Sequence, residues 1–322
     1  MGQTVLVTGA TGFTGGHLAR RLIADGQTVR LLVRRPVAEF ASAESVIGDV
    51  RDKDAVRQAM QGIDTVYHIA ALYRQTNVSD QEMRDINACG TQNLLEAATE
   101  AGIRRFVHCS TVGVHGDCKD IPTTEDSPYN PGDIYQETKL EGEEIAQRFR
   151  DRLPVVIFRP AGIYGPGDLR FRKLFKGIKT GRFAMIGSGE TLYQMVYIDD
   201  LVDGILLCGS QPDAVGRIYI LAGHETVTLN TLVELIADVL HVPTPRLHIP
   251  LAPVYAAAFA VEMAFKPLKI EPPLFRRRID FFRKARAFDI SRAVNELGFA
   301  PQVNLREGLR RTADWYTANG YL

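Results

Sequence analysis

The run Thr4-Val5-Leu6-Val7-Thr8-Gly9-Ala10-Thr11-Gly12-Phe13-Thr14-Gly15-Gly16-His17-Leu18 decides the fold. Its first residues form a short apolar stretch of the kind that suits a strand buried on both faces. Glycines at 9, 12 and 15 then lead into an apolar helical face. Glycine is required where backbone turns sharply or approaches a pyrophosphate closely. A helix starting there aims unpaired N–H groups and its positive end at that anion. Strand, Gly-rich turn and helix in this order are the context a dinucleotide site needs. The candidate contacts are Gly9, Thr11, Gly12, Phe13 and Gly15.

Outward from this turn, short β-branched runs at 28–33, 45–47, 65–69, 106–109 and 155–158 alternate with helical patterns at 13–25, 52–60, 80–101 and 134–150. Repeated strand and helix imply right-handed crossovers and an α/β, Rossmann-type doubly wound parallel sheet. Beyond about residue 160 glycines and prolines break the pattern, with apolar pieces at 192–198, 200–208, 218–221, 229–240 and 251–265. The expectation is a dinucleotide-binding domain over 1–160 and a smaller C-terminal substrate lobe over 161–322, some of whose segments return to the first core.

Composition excludes several classes. The 322 residues carry 38 Lys plus Arg against 38 Asp plus Glu, so no overall field invites nucleic acid. Cys89, Cys109, Cys118 and Cys208 show no CxxC spacing, which predicts reduced thiols and a cytoplasmic protein. The histidines show no metal-ligand spacing, so no metal is expected. The N-terminus lacks the pattern of a signal peptide. The apolar stretch 251–265 would reach ~22 Å as a helix, short of the ~30 Å of hydrocarbon in a bilayer, so no membrane span is expected.

At the end of the second strand, where NAD-selective folds place an acid on the ribose, stand Arg34 and Arg35. Guanidiniums match a 2'-phosphate, which predicts NADP, with NAD as the alternative. After the third strand, Asp49, followed by Val50, is placed to accept from the adenine amine or to cap the helix at 52–60. Tyr135 and Lys139 are four apart and share a helix face. An ammonium beside a phenol favours phenolate, and such a phenol exchanges a proton with an alcohol while hydride moves to or from a nicotinamide. Ser110 and Thr111 lie at the end of the strand before it.

These motifs, with His68-Ile69-Ala70-Ala71, Asn87 to Leu95, Ser110 to Gly116, Arg159 to Gly167 and Val196 to Leu201, resemble the extended short-chain dehydrogenase/reductases of the NAD(P)-dependent epimerase/dehydratase family. The likeness covers nearly the whole chain. It implies Tyr135 as acid/base, Lys139 as the group that lowers its pKa and holds the ribose, and Thr111 as the hydroxyl on the substrate oxygen, with Ser110 the alternative. It further implies Asn87 in the proton path, Ala70 and Ala71 beside the cofactor, and Pro160, Gly162 and Ile163 along the nicotinamide. His115, Arg159 and Tyr164 are candidate substrate contacts. Many relatives are homodimers built on the helices at 80–101 and 134–150.

Nucleotide-sugar enzymes of this group carry an arginine about ten residues before a D-x-S-K-A helix start. Here Asp289-Ile290-Ser291-Arg292-Ala293 is preceded at that distance by Ile279, with Arg278 one position off. The tail is more similar to the 3β-hydroxysteroid dehydrogenase and dihydroflavonol reductase branch. Charge is uneven along the chain: 117–144 carries a net −7 and 266–286 a net +6, the latter directly after the apolar 251–265. A basic cluster beside an apolar helix suits an anionic bilayer surface, an anionic group on the substrate, or solvent alone. Peripheral membrane contact through 251–286 is therefore one expectation. Three activities are consistent with the residues: an NADP-dependent oxidoreductase for a secondary alcohol or ketone on a hydrophobic or cyclic small molecule, an epimerase or dehydratase using transient oxidation, and a non-enzymatic dinucleotide sensor.

Overall fold

The computed structural model describes residues 3–73, 78–117, 120–265 and 276–322. Cys118 and the part of the basic segment at 266–275 lie outside the described residues. The chain forms two compact units, one of residues 1–163, 198–222 and 289–302, the other of 164–197, 223–288 and 303–322.

The first unit is built on a seven-stranded parallel sheet. Its strands β1 (Thr4–Thr8), β2 (Thr28–Val33), β3 (Glu44–Ile47), β4 (Thr65–His68), β5 (Arg105–Cys109) and β6 (Val155–Pro160) run in the order 3-2-1-4-5-6. A seventh strand, Ile218–Leu221, pairs with β6 in parallel. The apolar piece expected at 218–221 is this strand, although its type and its place beside β6 were not legible in the sequence. Helices α1 (Phe13–Ala24), α2 (Lys53–Met60), α3 (Asp80–Arg84), α4 (Gly90–Ala101) and α5 (Ile134–Arg148) make the crossovers. Strand order reverses direction between β1 and β4, the switch point at which open α/β sheets bind ligands beyond the C-terminal strand ends.

Two local details differ from expectation. The cap of α2 is Asp52, whose carboxylate accepts from the Asp54 and Ala55 amides, so Asp49 is not the cap. The helix expected over 80–101 is interrupted by a wide π-type turn at Asp85–Cys89. There the Thr91 hydroxyl donates to the Asn87 carbonyl at 2.7 Å.

The second unit holds Leu192–Tyr197 antiparallel to Thr226–Thr228, and His248–Ile249 parallel to Met185–Ile186. Helices Arg172–Lys179, Leu229–Val239 and Leu305–Ala318 bury Phe175, Leu232, Ile236, Leu309 and Tyr316. The unit also contains helices Leu251–Phe265 and Arg276–Arg283.

Candidate active site

The Gly-rich turn needs its glycines for space. Gly9 adopts φ +77°, and a Cβ there would lie 2.7 Å from the Ala70 nitrogen; a Cβ on Gly15 would meet the Gly9 carbonyl oxygen at 2.3 Å. The turn therefore lies hard against the segment after β4. Gly12 caps α1 without any side-chain hydrogen bond, and Thr11 and Gly12 are exposed. The positive end of such an open helix fits the pyrophosphate of a dinucleotide.

Beneath the turn runs a chain of buried hydrogen bonds whose directions follow from the donors available. The Ala70 amide donates to the Thr8 hydroxyl at 3.1 Å, and Thr8 Oγ1 lies 2.8 Å from His68 Nδ1. His68 Nε2 lies 2.9 Å from Thr91 Oγ1, whose own proton goes to the Asn87 carbonyl. Nε2 must therefore carry the ring proton, and Nδ1 accepts from Thr8. Burial and then the charge of Lys139 lower the His68 pKa to about 3, so the ring is neutral as this chain requires. Asn87 extends the network: its Oδ1 accepts from the Leu72 amide at 2.7 Å, and its Nδ2 donates to Thr138 Oγ1 at 3.0 Å. Asn87 thus ties the segment after β4 to α5 at the residue before Lys139.

On α5, Tyr135 is partly exposed and its ring packs edge-on against Tyr73 with centroids 4.9 Å apart. Lys139, one turn on, is buried and donates from Nζ to the Cys109 carbonyl at 2.5 Å. Burial lowers its pKa, opposed by the Cys109 thiol and by Glu143. The two candidate hydroxyls differ. Ser110 is buried and donates to Glu143 Oε2 at 2.5 Å, whereas Thr111 is partly exposed and accepts from the Gly113 amide at 3.0 Å.

Glu143 is the centre of a second buried network. Arg159 donates to it from Nε at 3.0 Å and from Nη2 at 2.5 Å, and neither side chain reaches solvent. Burial opposes the carboxylate, but the bonds and charge of Arg159, with Ser110 and Tyr129, hold its pKa below the usual range. Arg159 also donates to the Glu125 carbonyl and lies 2.9 Å from His115 Nε2, while His115 Nδ1 faces the Pro128 carbonyl at 3.1 Å. His115 is neutral, its pKa lowered by burial and by Arg159. Both His115 and Arg159 are buried, and their nitrogens have protein partners. Tyr164 is likewise buried, edge-on to Tyr197 at 5.6 Å.

Of the remaining candidates, Arg34 and Arg35 are exposed after β2. Asp49 is held by Arg51, whose amide and side chain donate to its carboxylate, with the side-chain hydrogen bond the largest cause of its lowered pKa. Ala71 is exposed and Ala70 half-buried; Val50, Pro160 and Ala161 are buried, and Gly162 and Ile163 are partly exposed. Among the described residues no group of His, Cys, Asp and Glu could hold a metal.

The NAD dependent epimerase/dehydratase family profile matches residues 5–222, from β1 through the seventh strand. The chain belongs to this family. Relatives named for different activities align with nearly the whole chain. Sterol demethylase protein B of Methylococcus capsulatus is 31% identical over 335 residues, covering 99% of this chain and all of that one. The N-acetyl-alpha-D-glucosaminyl-diphospho-ditrans,octacis-undecaprenol 4-epimerase of Escherichia coli O157:H7 is 28% identical over 98% of this chain and 96% of its own. The solved structure of MoeE5 in complex with UDP-glucose and NAD superposes with a TM-score of 0.78 at 26% identity over 99% of each chain. This epimerase/dehydratase-family chain is an enzyme of the extended short-chain dehydrogenase/reductase type, and structural neighbours bind NAD.

Sequence reading gave no individual role to Glu143, nor to Thr8, His68 and Thr91, which it named only within longer motifs. Glu143 had a usable signal: 135, 139 and 143 share one helix face at i, i+4 spacing.

Proposed function

We propose that the protein is an NADP-dependent oxidoreductase that interconverts a secondary alcohol and a ketone on a hydrophobic or cyclic small molecule. The observation that carries this reading is the placement of partly exposed Tyr135 one helical turn from buried Lys139, in the same unit as the open Gly-rich turn. A dinucleotide held with its pyrophosphate at that turn would supply or accept the hydride through its nicotinamide. In the reducing direction Tyr135 gives its phenolic proton to the carbonyl oxygen; in the oxidising direction its phenolate removes the proton from the alcohol. Lys139, held by the Cys109 carbonyl, favours the phenolate by its charge. Thr111 is assigned the substrate oxygen in preference to Ser110, because its oxygen accepts from Gly113 while its proton stays available, whereas the Ser110 proton is committed to Glu143. Asn87 acts as a positioning residue through Leu72 and Thr138.

Arg34 supports the choice of NADP, with Arg35 second. The choice of a hydrophobic substrate is supported by the sterol demethylase relative and by Ile279, which is buried at the position where sugar-nucleotide enzymes place an arginine. Cys89, Cys109 and Cys208 are free thiols, which supports a reducing, cytoplasmic setting. A homodimer through the helical segments at 80–101 and 134–150 belongs to the same proposal. The test is net oxidation of NADPH with a panel of cyclic ketones, alongside dissociation constants for NADPH and NADH. Turnover and tighter NADPH binding support the reading, and a preference for NADH removes the NADP assignment.

The 4-epimerase relative favours a second reading, in which Tyr135 and Lys139 serve a transient oxidation. It requires purified protein that retains dinucleotide and isomerises substrate without net cofactor turnover. The sensor reading is set aside, since the relatives named for an activity are enzymes.

A further inference from the structure

A helix that faces water ordinarily turns polar residues outward and apolar ones inward. Helix Leu251–Phe265 in the second unit is instead apolar on every face apart from Glu262. Ala258 is its only buried residue. Its exposed positions recur at spacings of three and four and include Ala252, Ala256, Phe259, Ala260 and Met263, with Phe259 48% and Met263 53% exposed. Leu247 and Ile249, just before the helix, are exposed as well.

The helix's one charged residue is already neutralised. Glu262 accepts from the Arg276 amide and from Arg276 Nε, both at 2.6 Å, and the Arg276 guanidinium lies over the Phe259 ring at 5.0 Å. The adjoining stretch from Arg276 to Arg286 contains six basic residues and a single acid, Asp280. An apolar face with a basic flank matches a surface that is apolar inside and anionic outside.

We propose that Leu251–Phe265 lies in the interfacial layer of an anionic phospholipid bilayer, with Phe259 and Met263 inserted and the Arg276–Arg286 segment against the phosphates. At ~22 Å of helix it can lie in the interface but not cross the hydrocarbon. No helix among the described residues is long and apolar enough to span a membrane. A second copy of the chain fits this surface less well, because a two-fold contact would set one basic flank against the other. The proposal goes beyond the assigned reaction and holds whichever small molecule the enzyme acts on.

The test is co-sedimentation of the full-length protein with vesicles of phosphatidylcholine mixed with phosphatidylglycerol, or of phosphatidylcholine alone, at low and high salt. The expected result is at least ~10-fold stronger partitioning onto the anionic vesicles, weakened by salt. The double variant Phe259→Asp/Met263→Asp should lose at least ~10-fold of that binding. Its melting temperature and NADPH affinity should stay at wild-type values, since both side chains are exposed. Equal partitioning onto the two vesicle types, no partitioning at all, or a double variant that binds as well as wild type would overturn the proposal. So would a wild-type dimer that ignores vesicles and becomes monomeric in the double variant, because a second copy would then cover the face.

Discussion

Two helices of 15 residues each, α5 and Leu251–Phe265, invert each other's chemistry. α5 is mostly polar, yet it buries Thr138, Lys139 and Glu143. Leu251–Phe265 is mostly apolar, yet it buries one alanine. Burying a charge is unfavourable unless partners satisfy it, and α5 has such partners at Cys109, Ser110 and Arg159. Its buried groups fix where Tyr135 stands. The other helix leaves its apolar side chains available for something outside the chain. Polar residues that are buried report on chemistry, and apolar residues that are exposed report on a partner.

Several substitutions and conditions can break this contrast. At the reacting end of α5, Tyr135→Phe should lower kcat/KM by about 10³-fold through loss of the proton donor, with NADPH affinity kept, as steady-state kinetics and titration would show. At its buried end, Glu143→Ala should destabilise the protein by about 3–5 kcal/mol, because it leaves the Arg159 charge buried and uncompensated. Urea denaturation measures this. A change below about 1 kcal/mol would mean that the ion pair is replaceable by water. The Phe259→Asp change on the exposed helix should move the same curve by no more than about 0.5 kcal/mol.

Between these extremes lies the pH response. His68 is held neutral in the fold, with its pKa depressed to about 3 from 6.5. The unfolded chain therefore binds more protons between those values. Stability is full above about pH 6.5 and falls as pH drops, by up to about 1.4 kcal/mol per pH unit from this residue. Buried His108 and His115 act in the same direction. Urea midpoints that stay constant from pH 7 to pH 5 would contradict the neutral His68 chain. Smaller still, Arg34→Ser should weaken NADPH binding by about 10-fold and NADH binding much less.

The difference between the helices also marks what sequence can convey. The Gly-rich turn and the Tyr135–Lys139 pair were legible because turn, spacing and helical period are local signals. The surroundings of Arg159 and His115 were not legible, because they are assembled from β6, α5 and residues 125–129, which no periodicity brings together. The choice of Asp52 over Asp49 as cap turns on backbone angles that two aspartates three apart do not distinguish. The wide turn at Asp85–Cys89 was hidden inside an unbroken amphipathic pattern, although it places Asn87 between Leu72 and Thr138. The exposed helix was legible as an apolar stretch beside a basic one, but its exposure was not.

The most direct test of the assigned chemistry uses NADPH carrying deuterium at the transferable C4 position, incubated with a reducible cyclic ketone and followed by mass spectrometry of the product. The account predicts an alcohol labelled on the carbinol carbon, with stoichiometric loss of NADPH, and label transfer reduced about 10³-fold in Tyr135→Phe. An unlabelled isomer of the substrate formed without net loss of NADPH, or labelling undiminished in Tyr135→Phe, would contradict it.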